Sequence, residues 1–178
     1  MSSTSVLVLG MEGSGKTAVI KRLLAHAKSE EPSPDALPPA TQPTMGVEMY
    51  TLTLGKPKQR FEVKEVGGQM VQLWDRYFED AQMVIFVIDA ARPSQMSAAV
   101  IELYRVLSHE AMDVPALVFL NKQELPTALP LPAVHDLLRL ADLARVVPQD
   151  ISVLEGSAAT EQSLDGVALW LQSNRDKS

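Results

Sequence analysis

The segment Gly10-Met11-Glu12-Gly13-Ser14-Gly15-Lys16-Thr17 follows an apolar run, Val6-Leu7-Val8-Leu9, and leads into apolar positions at helical spacing, Val19, Leu23, Leu24 and Ala27. It has the form G-x-x-x-x-G-K-T, the P-loop pattern. Its glycines let the chain turn so that successive N–H groups face one concavity at a helix N-terminus, whose partial positive charge suits phosphate. Lys16 can then reach the outer phosphates, and the Thr17 hydroxyl is placed to ligate a bridging Mg²⁺. A Gly-rich turn that binds nothing is the alternative; the buried strand before it and the helix after it favour the phosphate cradle.

The 178 residues suit one domain, 1–178, with a sheet covered by helices on both faces. A hydrophobic content of 46% with 21% charged residues is ordinary for a globular chain, which is expected to be a monomer. The net charge of −6 and the pI of about 5.1 argue against a nucleic-acid or anionic-membrane surface, which needs clustered Lys and Arg. The chain has no cysteine, which removes disulfides, thiolate metal sites, palmitoylation and prenylation together. Met1-Ser2-Ser3-Thr4-Ser5 carries no signal-peptide pattern, Ser2 excludes N-myristoylation, and the longest apolar run, Met83 to Ile88, is too short to span a bilayer. A cytoplasmic protein with no direct membrane anchor is expected.

Around the P-loop the chain alternates strands and helices. Residues 28–43 carry five prolines and few large apolar side chains, which reads as a flexible insertion. Val47 to Leu54 and Phe61 to Val66 alternate about a turn at Gly55-Lys56-Pro57-Lys58, giving an antiparallel edge hairpin. A short helix is expected over Val71 to Glu79, a buried strand over Met83 to Ile88, and a helix over Ser94 to His109. Ala116 to Leu120 reads as another buried strand. A helix after Pro132 places Val134, Leu137, Leu138 and Ala141 inward, a short strand covers Ile151 to Leu154, and a closing helix starts at Leu164. The result is an α/β fold: a doubly wound, mostly parallel sheet with one antiparallel edge hairpin, and ligands at the strand C-termini.

Those strand ends carry Pro43-Thr44-Met45-Gly46, Val66-Gly67-Gly68-Gln69, Asn121-Lys122-Gln123-Glu124-Leu125-Pro126 and Ser157-Ala158. With the P-loop, their order and rough spacing resemble those of small GTPases. The Pro-Thr-x-Gly, Val-Gly-Gly-Gln and Asn-Lys-Gln-x-Leu-Pro variants resemble the ADP-ribosylation-factor and factor-like (Arf/Arl) branch, and the short N-terminus and proline-rich loop look like a divergent, non-myristoylated member of it. The resemblance covers nearly the whole chain.

It implies GTP and GDP as ligands, with Mg²⁺. The nucleotide-binding set would be Glu12, Gly13, Ser14, Gly15, Lys16, Thr17, Thr44, Gly68, Asn121, Lys122, Glu124, Ser157 and Ala158, with Thr17, Thr44 and Glu65 on the metal side. Gln69 would be catalytic, orienting the attacking water. Glu65 and Glu124 stand where the family has Asp; each keeps the charge on an arm one methylene longer, which bears on Mg²⁺ geometry and on guanine discrimination. Glu12 adds a negative charge beside the γ-phosphate, so intrinsic hydrolysis should be slow and depend on an activating protein. Arg76, Arg92 and His109 read as solvated surface residues, and the methionines, with Trp74 and Trp170, mainly as packing, although Trp74 could belong to a partner face.

The leading function is therefore a guanine-nucleotide switch that recruits effectors, served by exchange-factor and GTPase-activating proteins. By the resemblance it would act in membrane or ciliary trafficking, reached through partners. The alternative is a nucleotide-bound scaffold that no longer cycles. A P-loop kinase would need an arginine-bearing lid, and between Pro126 and Asp150 only Arg139 and Arg145 are present.

Overall fold

Aliphatic runs with no polar interruption form the centre of the sheet, because a strand covered on both faces has no side to present to water. These are β1 (Thr4–Leu9), β4 (Met83–Asp89) and β5 (Ala116–Asn121); all of β4 and β5 is buried. The computed structural model describes residues 3–28 and 42–175, so nearly all of the expected insertion at 28–43 lies outside the described residues. With β2 (Val47–Leu54), β3 (Gln59–Val66) and β6 (Ile151–Glu155), the sheet has six strands in the order β2-β3-β1-β4-β5-β6. Every neighbouring pair is parallel except β2 and β3, which form the expected edge hairpin in register from Val47↔Val66 to Leu54↔Gln59.

The period of two divides each central strand between two cores. Val6, Val8, Ile85, Val87, Leu117 and Phe119 pack on one face under α1 (Lys16–Ala27) and α5 (Glu161–Asn174). Leu7, Leu9, Phe86, Ile88, Val118 and Leu120 pack on the other, under α2 (Pro93–Leu107) and α3 (Leu131–Leu138). Trp74, on a 3-10 turn over Val71–Tyr77, belongs to this second core. It is fully buried, meets Phe86 edge-on at 6.0 Å, and donates its indole N–H to the Gly67 carbonyl at 3.2 Å. It is therefore a core residue and not part of a partner face. Met83, Met96 and Met112 are core as expected, whereas Met45 and Met49 stand in solvent.

The helix expected to continue through Ala141 breaks instead. Arg139 adopts φ 45, a left-handed conformation that stops α3, and a single turn, α4 (Leu140–Leu143), follows. The break rotates the apolar stripe: Leu138 and Leu143 are buried, while Leu137 and Ala141 are exposed. Tyr104 secures the kink by donating its hydroxyl toward the Leu138 and Arg139 carbonyls at 2.9 and 3.1 Å.

Adjacent leucines should thus behave oppositely. Leu138→Ala is expected to lower the unfolding free energy by about 2–5 kcal/mol, and Leu137→Ala to change it by no more than about 0.5 kcal/mol. Urea denaturation followed by circular dichroism measures both, and equal losses would mean that α3 does not break at Arg139.

Candidate nucleotide site

The loop between β1 and α1 turns on residues that only glycine suits. Gly10, Gly13 and Gly15 have φ of 145, 74 and 97. A Cβ on Gly10 would lie 2.3 Å from the Val87 carbonyl oxygen, and one on Gly15 would lie 2.3 Å from Asn121 Nδ2. The glycines are thus fixed by two things at once, backbone conformation and the closeness of β4 and β5. Above the loop is a cavity of about 280 Å³, walled by Glu12, Gly13, Gly15, Lys16 and Thr17 from the loop and by Thr44, Glu65 and Gly68 from the hairpin ends. Eight of the expected site residues are therefore brought together.

Lys16 lies under this cavity, buried, with Nζ donating to the Gly10 and Met11 carbonyls at 2.9 and 3.2 Å. Burial pulls its pKa down from 10.5 to about 8, opposed by the carboxylates of Glu65 and Glu12. The cost of desolvating this ammonium is incurred in the fold itself, so an incoming phosphate meets a cation already stripped of most of its water.

Three oxygen-bearing side chains converge beside it. Thr17 Oγ1 donates to Glu65 Oε1 at 2.6 Å, Thr44 Oγ1 to the same oxygen at 3.2 Å, and the two hydroxyls are 3.2 Å apart. Glu65 is 1% exposed, and its other oxygen, Oε2, is buried without a hydrogen-bond partner. A buried, half-satisfied carboxylate is costly and calls for a cation. Two hydroxyls and one carboxylate oxygen are hard donors that suit Mg²⁺ completed by phosphate oxygens and water. Among the described residues there is no cluster of three His, Cys, Asp or Glu side chains able to hold a metal alone. The residues present therefore fit a metal that arrives with a phosphate ligand.

The hairpin ends close this side. Gly67 N–H donates to the Gly46 carbonyl at 2.8 Å, and a Cβ on Gly67 would be 2.2 Å from the Thr44 carbonyl oxygen. A Cβ on Gly68 would be 2.2 Å from the Glu12 backbone nitrogen. This glycine lets the segment after β3 rest directly on the loop. Gln69, the next residue, is exposed and is not part of the cavity wall.

At the base-side end, Asn121 is 1% exposed and joins three segments. Its Nδ2 donates to the Ser14 carbonyl at 2.9 Å, and its Oδ1 accepts the Ala158 N–H at 2.9 Å. Lys122 has φ 67, unusual for a residue with a side chain. That conformation aims its Nζ at the Gly13 carbonyl and at Asp89 Oδ2, both at 2.7 Å. Ser157 is buried; its backbone N–H is held by Ser163 Oγ at 3.1 Å, and its own Oγ accepts the Ala159 N–H at 2.8 Å. Glu124 is exposed on the loop after Lys122, outside the cavity wall.

Asp89, the polar end of an apolar strand, is one of the places the sequence marks for a ligand, though with no role given to it; it pairs with Asn121 in the register of β4 and β5, accepts the Ala91 N–H at 2.9 Å and anchors Lys122. Arg92 is exposed, as expected, but it also forms part of the cavity wall beside Gly13, a place the sequence did not indicate. Of the other expected surface residues, Arg76 is exposed, whereas His109 is half-buried, stacks edge-on against Phe78 at 5.0 Å and accepts the Ala111 N–H at 3.1 Å.

A six-stranded sheet with a P-loop feeding its first helix, hydroxyls and a carboxylate beneath that loop, and an Asn-Lys pair at the far end define a small GTPase fold. Residues 1–175 match the ADP-ribosylation factor family, and the chain belongs to it. It is 32% identical to human ADP-ribosylation factor-like protein 16 over 168 residues, which are 94% of this chain and 84% of that one. It is also 32% identical over 169 residues to ADP-ribosylation factor-like protein 1 of Saccharomyces cerevisiae, covering 93% and 84% of the two chains. Among solved structures, the Arl6 small GTPase of Trypanosoma brucei, determined with the nucleotide analogue GppNp, superposes with a TM-score of 0.80 at 22% identity over 99% of both chains.

Removing the Asn121 side chain strands the Ser14 carbonyl and the Ala158 N–H in a buried place. Asn121→Ala is expected to lower the unfolding free energy of the nucleotide-free protein by about 1–3 kcal/mol. Urea denaturation measures it, and an unchanged midpoint would mean that Asn121 does not hold the loop.

Proposed function

We propose that this chain is a guanine-nucleotide switch: a single G domain over 1–178 that binds GTP and GDP with Mg²⁺ and hydrolyses GTP slowly. The observation that carries this is the convergence of Thr17, Thr44 and Glu65 under the loop, with Glu65 Oε2 buried and unpartnered. When bound, Mg²⁺ would be held by the Thr17 and Thr44 hydroxyls and the Glu65 carboxylate and would supply the positive charge that neutralises the phosphates. The chain's own residues do the rest. Backbone N–H groups from Gly13 to Thr17 hold the phosphates, Lys16 supplies fixed positive charge, and Gly68 brings its N–H close to the loop. Glu124 would accept hydrogen bonds from the guanine edge, the Lys122 stem would pack on the base, and the Ala158 N–H would turn from Asn121 to the base carbonyl, with Ser157 supporting that loop. Thr44, on the segment entering the edge hairpin, couples the hairpin to the state of the γ-phosphate.

Effectors, exchange factors and activating proteins would read the surface around Thr44 and Gln69, where Met45 and Met49 are 87% and 66% exposed. The protein would act in the cytoplasm, at membranes or the cilium through such partners, in keeping with its family. None of the helices in the described residues is long and apolar enough to cross a membrane.

A second reading, a scaffold that stays nucleotide-bound, draws on Gln69 lying outside the cavity wall and on Glu12 lying within it. Single-turnover hydrolysis with cell extract separates the two: acceleration abolished by Gln69→Leu supports the switch, and no acceleration supports the scaffold.

The binding reading itself makes a direct prediction. Chromatography after denaturation should find guanine nucleotide copurified, and ATP should fail to displace mant-GDP. Chelating Mg²⁺ should speed mant-GDP release by roughly tenfold or more, the loss of a few charge-assisted contacts. Preference for adenine nucleotides, or no binding, would overturn the reading.

A further inference from the structure

Asp89 has one carboxylate and two cationic neighbours. Lys122 Nζ is 2.7 Å from Oδ2, while Arg92 Nε is 4.0 Å from the same oxygen. Oδ1 already accepts the Ala91 N–H at 2.9 Å. Lys122 therefore takes the carboxylate, and Arg92 is held only loosely by it. Its terminal nitrogens point elsewhere: a Cβ on Gly13 would lie 3.2 Å from Nη1 and 3.7 Å from Nη2. The guanidinium thus rests over the middle of the phosphate loop and forms part of the cavity wall, with its side chain 47% exposed. No hydrogen bond within the described residues takes up Nη1 or Nη2.

A planar fork of donors beside a ring of backbone N–H groups matches the geometry of phosphate oxygens, which a guanidinium grips in pairs. Gly13 is also the residue whose carbonyl Lys122 holds at 2.7 Å, so Arg92 rests over the part of the loop that Lys122 anchors. The backbone N–H groups of a P-loop cradle the α- and β-phosphates. Resting on the guanine-nucleotide reading above, we infer that Arg92 is a built-in clamp on the diphosphate part of the nucleotide, a second fixed cation beside Lys16. Its position after β4 makes it independent of the hairpin that carries Thr44. It therefore grips GDP and GTP alike and helps to offset the negative charge that Glu12 brings to the same cavity.

The test compares the full chain with Arg92→Gln and Arg92→Lys, using mant-GDP, mant-GTP and competition by guanosine, which has no phosphate. Arg92→Gln should weaken mant-GDP and mant-GTP by the same factor, about tenfold, and leave guanosine competition and the melting temperature of the nucleotide-free protein unchanged. Arg92→Lys should recover part of the loss, since an ammonium keeps the charge without the fork. Unchanged affinities in Arg92→Gln would overturn the clamp, as would a loss confined to mant-GTP or a loss that extends to guanosine. Failure of the unaltered chain to bind either nucleotide would overturn the switch reading and the clamp with it.

Discussion

The side chain of Asn121 is the point on which the site depends. It is buried at the end of β5, and its amide is divided between the Ser14 carbonyl on one side and the Ala158 N–H on the other. One residue at the end of β5 thereby joins the segments that follow β1 and β6. Gly15 must be glycine because a Cβ would collide with that amide, and Lys122 adopts its left-handed conformation one residue further on. The strain at Lys122 is the kind tolerated only where the surroundings hold a residue in place, and here Gly13 and Asp89 do so.

Across the loop the logic is electrostatic. Glu65 ends β3 fully buried with one oxygen shared by two hydroxyls and the other unpaired, and Lys16 is buried within the field of that carboxylate. Each charge alone would be costly at this depth. Together they form a site that is incomplete without an anion and a cation, so ligand binding relieves a debt already present in the folded chain. The longer arm of Glu65, relative to the family's Asp, does not take the carboxylate out of reach: Oε1 meets Thr17 at 2.6 Å.

Much of this was legible in the sequence because the signals were local. The buried strands are uninterrupted apolar runs, the loop is a fixed motif, and the edge hairpin alternates about Gly55. What escaped was set by tertiary contact. The helical spacing of Val134, Leu137, Leu138 and Ala141 continues smoothly, yet Arg139 reverses its backbone and the stripe turns away at Leu137. Trp74 reads mainly as packing with a partner face as the alternative, and it is the tertiary contact of its indole N–H with the Gly67 carbonyl, in full burial, that decides for packing. Arg92 gave no signal, since nothing in Ala90-Ala91-Arg92-Pro93 indicates that the end of β4 delivers this residue to Gly13 beyond the neighbouring β1.

The charged residues around the cavity then bear on one another. Glu12 places a carboxylate in a cavity wall that it shares with Glu65, Lys16 and Arg92, so the wall carries two acidic and two basic side chains. A loop with Glu12 but without Arg92 would meet the phosphates with an excess of negative charge. In this chain the cation from the β4–α2 junction, beside Gly13, restores the balance. Glu12 lies within the wall and Gln69 outside it. On the proposed reading, retention and turnover of nucleotide would be governed by different residues, and a chain built this way would hold its ligand while leaving hydrolysis to a partner that supplies what the γ-phosphate side lacks.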